Sequence, residues 1–216
     1  MTDQINPAPR LDNQDPGLFG QTPWQTVGPF FHYGLAWKGG ADLVGVSEIG
    51  ARPELFPENH YVLNQPSPKG AIEGEVITLE GAVLDAAGAP IVDAMIEIWQ
   101  ADAAGRYADG SGNTGFIGFG RSSTDESGVY RFRTIRPGRV DDTQAPHIAI
   151  GVFGRGLLKR LVTRAYFEGE AANAGDPILA LVPAERRDTL IAKPVGETWR
   201  FDIVLQGEAE TVFFDI

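Results

Sequence analysis

Alternating hydrophobic and polar positions predict a chain built mainly of β-strands. The clearest case is the run 94–100, where Met95, Glu97 and Trp99 alternate with Ile96, Ile98 and Gln100, as in a strand with two distinct faces. Trp99 is the largest apolar group of this run, so we expect it to be deeply packed, with Gln100 hydrogen-bonding at its margin. Asp102 and Gly105 then favour a turn that presents Tyr107 at its far side.

The same period, bounded by glycine and proline, predicts further strands along the second half of the chain. They cover residues 75–85, 129–135, 147–153, 160–167, 190–195, 198–206 and 211–214. A turn over 87–90 should make the strands 75–85 and 94–100 neighbours, and the glycine-rich run 112–120 is interpreted as a loop. Residues 169–188 form the one helical segment, with Asp176 as N-cap and Pro177 in the first turn. This pattern predicts an all-β protein, a β-sandwich or open barrel.

The first part of the chain predicts a long N-terminal arm rather than a folded element. Residues 1–22 are polar and proline-rich without periodicity, and 23–32 then gather aromatic rings around a Gly-Pro turn. Those rings can pack on the chain's own core or on a partner chain. We assign residues 1–35 to an arm that packs on a partner chain and 36–216 to the β-sandwich domain with extended loops.

Composition narrows the range of functions. The 216 residues include no cysteine, which excludes disulfides, thiolate nucleophiles and cysteine-based metal sites. The net charge of −11 opposes binding to nucleic acid, although a single arginine can still attract a small anion. No long apolar run or lipidation motif is present, so we expect no membrane role and a cytoplasmic location.

Candidate chemistry centres on three histidines and one arginine. His32 and His60 have no accompanying ligand pattern, whereas His147 opens a strand after Pro146. A metal-binding His-x-His pair would need histidine at position 149, where this chain has Ala149. Arg155 stands between two glycines, so its backbone can approach a ligand, or it can belong to a surface turn.

Together these motifs resemble the intradiol aromatic-ring dioxygenases over residues 22–216. The resemblance is carried by Gly81 and by the runs 85–90, 97–102, 105–107, 119–121, 128–138 and 146–148. It implies a β-sandwich and a non-haem ferric iron held by two tyrosines and two histidines. Such enzymes use molecular oxygen to split a catechol between its two hydroxyl-bearing carbons.

The family's four ligand positions fall on Tyr107, Arg139, His147 and Ala149, so two of the four ligands are missing. A guanidinium would also repel a ferric ion. The resemblance therefore implies an α-type chain with no metal and no catalytic residue of its own. Its partner, a β subunit, would hold the Fe(3+) with O2 as co-substrate, in a higher-order αβ oligomer. We expect Tyr107 to retain an ordinary hydrogen bond near His147 or Arg139.

In α-type chains of the family, the N-terminal arm and one arginine help to line the active site of the partner subunit. The matching positions here are Thr26, Gly28, Pro29, Phe30 and Arg155, with Phe30 standing where a tyrosine is expected. The implied substrate is a small carboxylated catechol. Two alternatives remain: a stand-alone dioxygenase using Tyr107, His147 and a carboxylate, and a non-catalytic assembly or carbohydrate-binding sandwich.

Overall fold

Nine β-strands and one short α-helix make up the regular structure of the described residues. The computed structural model describes residues 26–28, 40–44, 72–108 and 116–215. The strands are β1 (Val76–Leu84), β2 (Met95–Trp99), β3 (Phe119–Ser123), β4 (Val129–Ile135), β5 (His147–Phe153), β6 (Leu161–Phe167), β7 (Ile191–Val195), β8 (Thr198–Arg200) and β9 (Ile203–Val204). Helix α1 covers Pro177–Leu181, between two 3-10 turns at Ala171–Gly175 and Ala184–Leu190.

The strands form a mixed path in the order β3-β2-β5-β6-β7-β8-β1-β4, with β9 paired to β1. Strand β7 joins the two layers, since Ile191 and Ala192 pair with β6 whereas Lys193, Pro194 and Val195 pair with β8. The layers bury one shared apolar core, to which β1, β2, β4, β5, β6, β7 and β9 and the connection at Phe201 contribute. The predicted all-β sandwich is confirmed.

Residues 40–44 form backbone hydrogen bonds to β3 and β4, the two end strands of this path. The Gly40 carbonyl accepts a hydrogen bond from Arg121 of β3, while Ala41 and Leu43 exchange two backbone hydrogen bonds with Arg133 of β4. The side chain of Leu43 is buried against Gly120. The sandwich is thereby closed on the side where β3 and β4 would otherwise present unpaired backbone groups.

The expectation that the strands on either side of the 87–90 turn are neighbours is wrong. β1 pairs with β4, β8 and β9, and β2 pairs with β3 and β5. Only an isolated bridge joins Leu84 to Pro90. Proline has no N–H to extend the ladder, and the turn that follows carries the chain into the other layer.

Three other predicted segments differ from the structure. The glycine-rich run is a strand from Phe119 onward, although its residues 112–115 lie outside the described ranges. The predicted strand 198–206 divides into β8 and β9, because Asp202 uses its carboxylate to accept the N–H of Ala82. The segment 211–214 forms no strand and contributes one bridge, from Phe214 to Val162.

The predicted helical segment is confirmed as three short turns. Asp176 caps α1, since its Oδ1 accepts the N–H groups of Ile178 and Leu179 at 2.8 and 2.9 Å, and Pro177 begins the helix. No helix in the described part of the chain has the length and apolar character needed to cross a membrane.

Candidate functional site

The loop that follows β2 is held by one buried carboxylate. Oδ1 of Asp102 accepts the N–H groups of Ala104 and Arg106, each at 2.9 Å, and Oδ2 pairs with the Arg106 guanidinium. Burial alone would raise the pKa of Asp102, but these hydrogen bonds outweigh it and hold the pKa below its usual value. The loop that carries Tyr107 is therefore rigid at its base.

Two glycines let this loop meet the segment after β4. A Cβ on Gly105, which has φ +80°, would lie 1.8 Å from the Arg139 carbonyl oxygen, and a Cβ on Gly138 would lie 2.3 Å from that of Ala103. The Gly138 N–H also donates to the Asp102 carbonyl at 2.9 Å. The backbones around Tyr107 and Arg139, which the family motif pairs, are thus in contact.

The Tyr107 ring is stacked on Trp99, with centroids 5.7 Å apart and planes 10° from parallel. Burial raises the pKa of the Tyr107 phenol, and the charge of Arg164 lowers it in part. Among the described residues none hydrogen-bonds to its hydroxyl, contrary to the expected bond near His147 or Arg139. Trp99 is half-buried rather than deeply packed, because it lies on the outer face of its sheet.

Gln100 directly follows β2 and is buried. Its Nε2 donates to the Ile135 carbonyl at 2.9 Å, and its Oε1 accepts from the Thr134 hydroxyl at 2.8 Å. The buried amide is thereby satisfied and ties β2 to the end of β4 across the two layers.

His147 is buried at the start of β5. Its Nδ1 lies 2.8 Å from the Ala145 carbonyl oxygen, and its ring is tilted over that of Tyr166 at 5.7 Å. Burial lowers the pKa of His147, which favours the neutral imidazole. Burial also raises the pKa of Tyr166 to about 12, and the Tyr166 hydroxyl donates to Asp176 at 3.2 Å. The imidazole is therefore part of a packed polar network.

Arg139 points into its own exposed loop. Its guanidinium donates to the carbonyl oxygens of Gln144 and Asp142. It has no lone pair for a metal, and Ala149 offers only a methyl group. Within the described residues no group of three or more His, Cys, Asp or Glu side chains could hold a metal ion. The four ligand positions do not fit a ferric ion.

Of the residues predicted to line the partner's active site, the structure brings Thr26 close to the loop that carries Arg155. The Thr26 hydroxyl accepts the Gly156 N–H at 2.8 Å, so this point of the arm contacts the loop that carries Arg155 in the same chain. Arg155 forms an ion pair with Asp93, and its side chain is 59% exposed. Gly28 is exposed, and a Cβ there would meet nothing within 4 Å. Pro29 and Phe30 lie outside the described residues, as does most of the arm 1–35.

Sequence reasoning missed a charged cluster on the outer face of β2. Glu97 is buried and pairs with Arg121, and Arg160 lies 3.9 Å from its second oxygen. Arg160 reaches it because Gly151 has no side chain, and a Cβ there would lie 2.2 Å from the Arg160 Nε. A carboxylate inside an otherwise apolar strand was the available signal. Its partners depend on the strand register, which the sequence does not reveal.

Similarity to known proteins shows the family to which the chain belongs. A family model described as Dioxygenase matches residues 56–207. The chain is 41% identical over 208 residues to a protocatechuate 3,4-dioxygenase alpha chain of Burkholderia cepacia, covering 91% of this chain and 98% of the relative. The chain belongs to the intradiol dioxygenase family. The resemblance expected from the motifs is confirmed.

Two further relatives of the intradiol dioxygenase family bear on the site and the fold. A protocatechuate 3,4-dioxygenase beta chain of Burkholderia cepacia is 37% identical over 178 residues, covering 73% of this chain and 76% of the relative. The dioxygenase domain of a dioxygenase carbohydrate-binding protein fusion from Streptomyces sp. SirexAA-E has a TM-score of 0.52 at 29% identity, covering 64% of this chain and 84% of that one. The intradiol dioxygenase family implies non-haem iron and O2.

Proposed function

We propose that this chain is the α subunit of a protocatechuate 3,4-dioxygenase. In this proposal the complex cleaves protocatechuate with O2 to 3-carboxy-cis,cis-muconate, a step of the β-ketoadipate pathway. The ferric iron belongs to the β subunit, and this chain contributes wall and substrate-binding residues to that site. Several αβ pairs form the enzyme.

Two observations together carry the proposal. The chain is similar to an alpha chain along nearly its whole length, and its residues at the four ligand positions cannot hold iron. The likeness to the alpha chain covers 98% of that relative's length, and a named beta chain is also similar. Arg139 and Ala149 stand at two of the four ligand positions. An enzyme of this family whose own chain lacks the donors needs a second chain that supplies them.

Arg155 is the residue we assign to the substrate carboxylate. Its Nε is engaged by Asp93, which leaves the two terminal nitrogens on an exposed side chain. Two parallel N–H donors match the two oxygens of a carboxylate. The nearby arm adds Thr26 and Gly28, and Pro29 with Phe30 would supply the apolar wall for the aromatic ring.

Iron content and ring cleavage test this division of labour. The chain is purified alone and together with its β partner, and iron per chain and protocatechuate consumption are measured for both. We expect iron and activity only in the complex. Stoichiometric iron and ring cleavage in the isolated α chain would overturn the proposal and favour the stand-alone dioxygenase.

A purely structural sandwich is the alternative from another class. It is not favoured, since the relatives along the whole chain are dioxygenase chains. Deletion of residues 1–35 separates the two ideas in the complex. Loss of assembly with unchanged activity per remaining iron would support the structural role, whereas a raised KM in complexes that still assemble supports the wall.

A further inference from the structure

Arg164 faces Ala149, one of the four positions that match the family's metal ligands. In the strand register Ala149 is directly opposite Trp99 on one side and Arg164 on the other. Residues that face one another across neighbouring strands project from the same side of the sheet, with Cβ atoms about 4.5–5.5 Å apart. Arg164 therefore emerges beside the methyl group of Ala149, on the face that also carries Trp99.

The adjoining row of the same face holds His147 opposite Tyr166. His147 and Ala149 are two residues apart on β5, so both point to this face. The Tyr107 ring approaches it from the loop, stacked on Trp99. Arg164 thus shares one patch of the outer sheet face with the phenol and imidazole that the family uses as ligands.

The contacts of Arg164 keep its guanidinium at this patch. It is half-buried, and Nη1 donates to the Gln144 side-chain oxygen at 3.0 Å. Its positive charge lowers the pKa of the Tyr107, His147 and Tyr166 side chains. For the two tyrosines this effect opposes that of burial, and for His147 it adds to it. The guanidinium therefore lies near all three rings.

The neighbouring carboxylates are committed to other partners. Asp176 accepts backbone N–H groups from Ala145 and the first turn of α1, and Glu97 is paired with Arg121 and Arg160. The patch therefore combines neutral rings with a permanently charged guanidinium, which cannot be deprotonated in a protein. A multivalent cation placed there would meet repulsion at short range.

We propose that the Arg164 guanidinium has taken the place of the metal in this chain. The loss of two ligands is then only part of the reason that the site rejects iron, because a resident cation also occupies it. The inference rests on the proposed function in one respect: it assumes that this chain does not hold iron of its own.

Adding back one ligand, with and without Arg164, tests the inference. Ala149→His restores a His-x-His pair beside Tyr107, which gives the site two imidazoles and one phenol as donors to iron. The full-length variants are incubated with ferrous iron in air and desalted. Metal content and the visible tyrosinate-to-iron absorption are then measured.

We expect A149H to retain no stoichiometric iron, and A149H/R164M to retain at least about tenfold more and to become coloured. Met keeps the length of the side chain without its charge, and A149H/R164Q is the second variant should the Met form not fold. A149H/R164K keeps the charge and should behave like A149H. A149H/R131Q removes an exposed arginine of β4 and should also remain free of iron.

Two results would overturn the role of Arg164. One is equal iron in A149H and A149H/R164M. The other is an A149H/R164M or A149H/R164Q protein that is folded by circular dichroism and still takes up no iron. Stoichiometric iron in the unmodified chain would instead contradict the proposed function, so the two failures are distinguishable.

Discussion

The Tyr107 phenol lies nearly parallel to the Trp99 indole, with 5.7 Å between the ring centroids. The ring, and not the hydroxyl, makes the contact that fixes this side chain within the described structure. Tyr107 therefore serves as a packing residue in the described structure.

Replacement of Tyr107 separates the ring from its hydroxyl. Tyr107→Phe should change the free energy of unfolding by less than about 0.5 kcal/mol, because no hydrogen bond is lost. Tyr107→Ala should cost about 1–2 kcal/mol through loss of the stack and of buried area. Urea unfolding of both variants measures this, and an equal cost would contradict the packing role.

Asp102 makes the Tyr107 loop sensitive to acid. Its pKa is lower in the folded chain than the ordinary value of 3.8, so the unfolded chain binds the proton more readily. The stabilisation is fully present above this value and is lost as the pH falls below it. Asp102→Asn should cost about 1–2 kcal/mol at neutral pH.

The pH profile is the sharper readout for Asp102. Unfolding of wild type and Asp102→Asn is compared between neutral pH and pH 3, and the difference between them should shrink in acid. A constant difference across this range would show that the carboxylate charge is not what holds the loop.

Asp176 holds three elements with one side chain. It caps α1, accepts the Ala145 N–H at 2.8 Å before β5, and accepts the Tyr166 hydroxyl of β6. Asp176→Ala leaves buried donors without partners, and we expect a loss of about 2–4 kcal/mol in thermal or urea unfolding. Tyr166→Phe removes one of these bonds only and serves as the milder control.

Two strand glycines should respond very differently to alanine. A Cβ on Gly81 would lie 1.7 Å from the Phe201 carbonyl oxygen, which the Tyr130 hydroxyl also binds at 2.6 Å, so backbone must move. Gly81→Ala should cost about 3 kcal/mol or more. The three atoms nearest to a Cβ on Gly151 all belong to the flexible end of Arg160, so Gly151→Ala should cost about 1 kcal/mol or less. Similar costs would show that the close approach at Gly81 is not rigid.

Arg155 should affect the affinity for the substrate and not the iron content. In the αβ complex Arg155→Ala should raise KM for protocatechuate about tenfold or more, since a charge-assisted pair is lost. Arg155→Lys should recover part of it. With catechol, which lacks the carboxylate, the three proteins should have similar KM values. An equal effect on both substrates would mean that Arg155 does not recognise the carboxylate.

The sequence predicted local features well because they depend on neighbouring residues. The strands Val129–Ile135 and His147–Phe153 have the expected bounds, and Asp176 caps its helix through groups two and three residues away. The prediction that the two strands flanking the 87–90 turn pair with each other was wrong, because a turn of that composition suits both a hairpin and a crossing between layers. The missed strand at Phe119 begins in a glycine-rich run that has no alternation.

In the candidate site, too, local motifs were predicted from the sequence and contacts between distant residues were not. Tyr107, Arg139, His147 and Ala149 were found from motifs, and the backbone contact between the two loops brings the first pair together. Arg164 was not found, since its importance comes from facing Ala149 across a strand pair. A register shift of one residue would turn that side chain to the other face, and nothing in a single sequence fixes the register.

The backbone bonds of residues 40–44 to Arg121 and Arg133 also decide how the protein can associate. Edge strands with free N–H and C=O groups invite another chain to extend the sheet, which is a common route to aggregation and to strand exchange. Here a segment of the same chain already occupies that place at β3 and β4. A partner that approaches this side therefore meets side chains, and recognition there depends on shape and charge rather than on adding a strand.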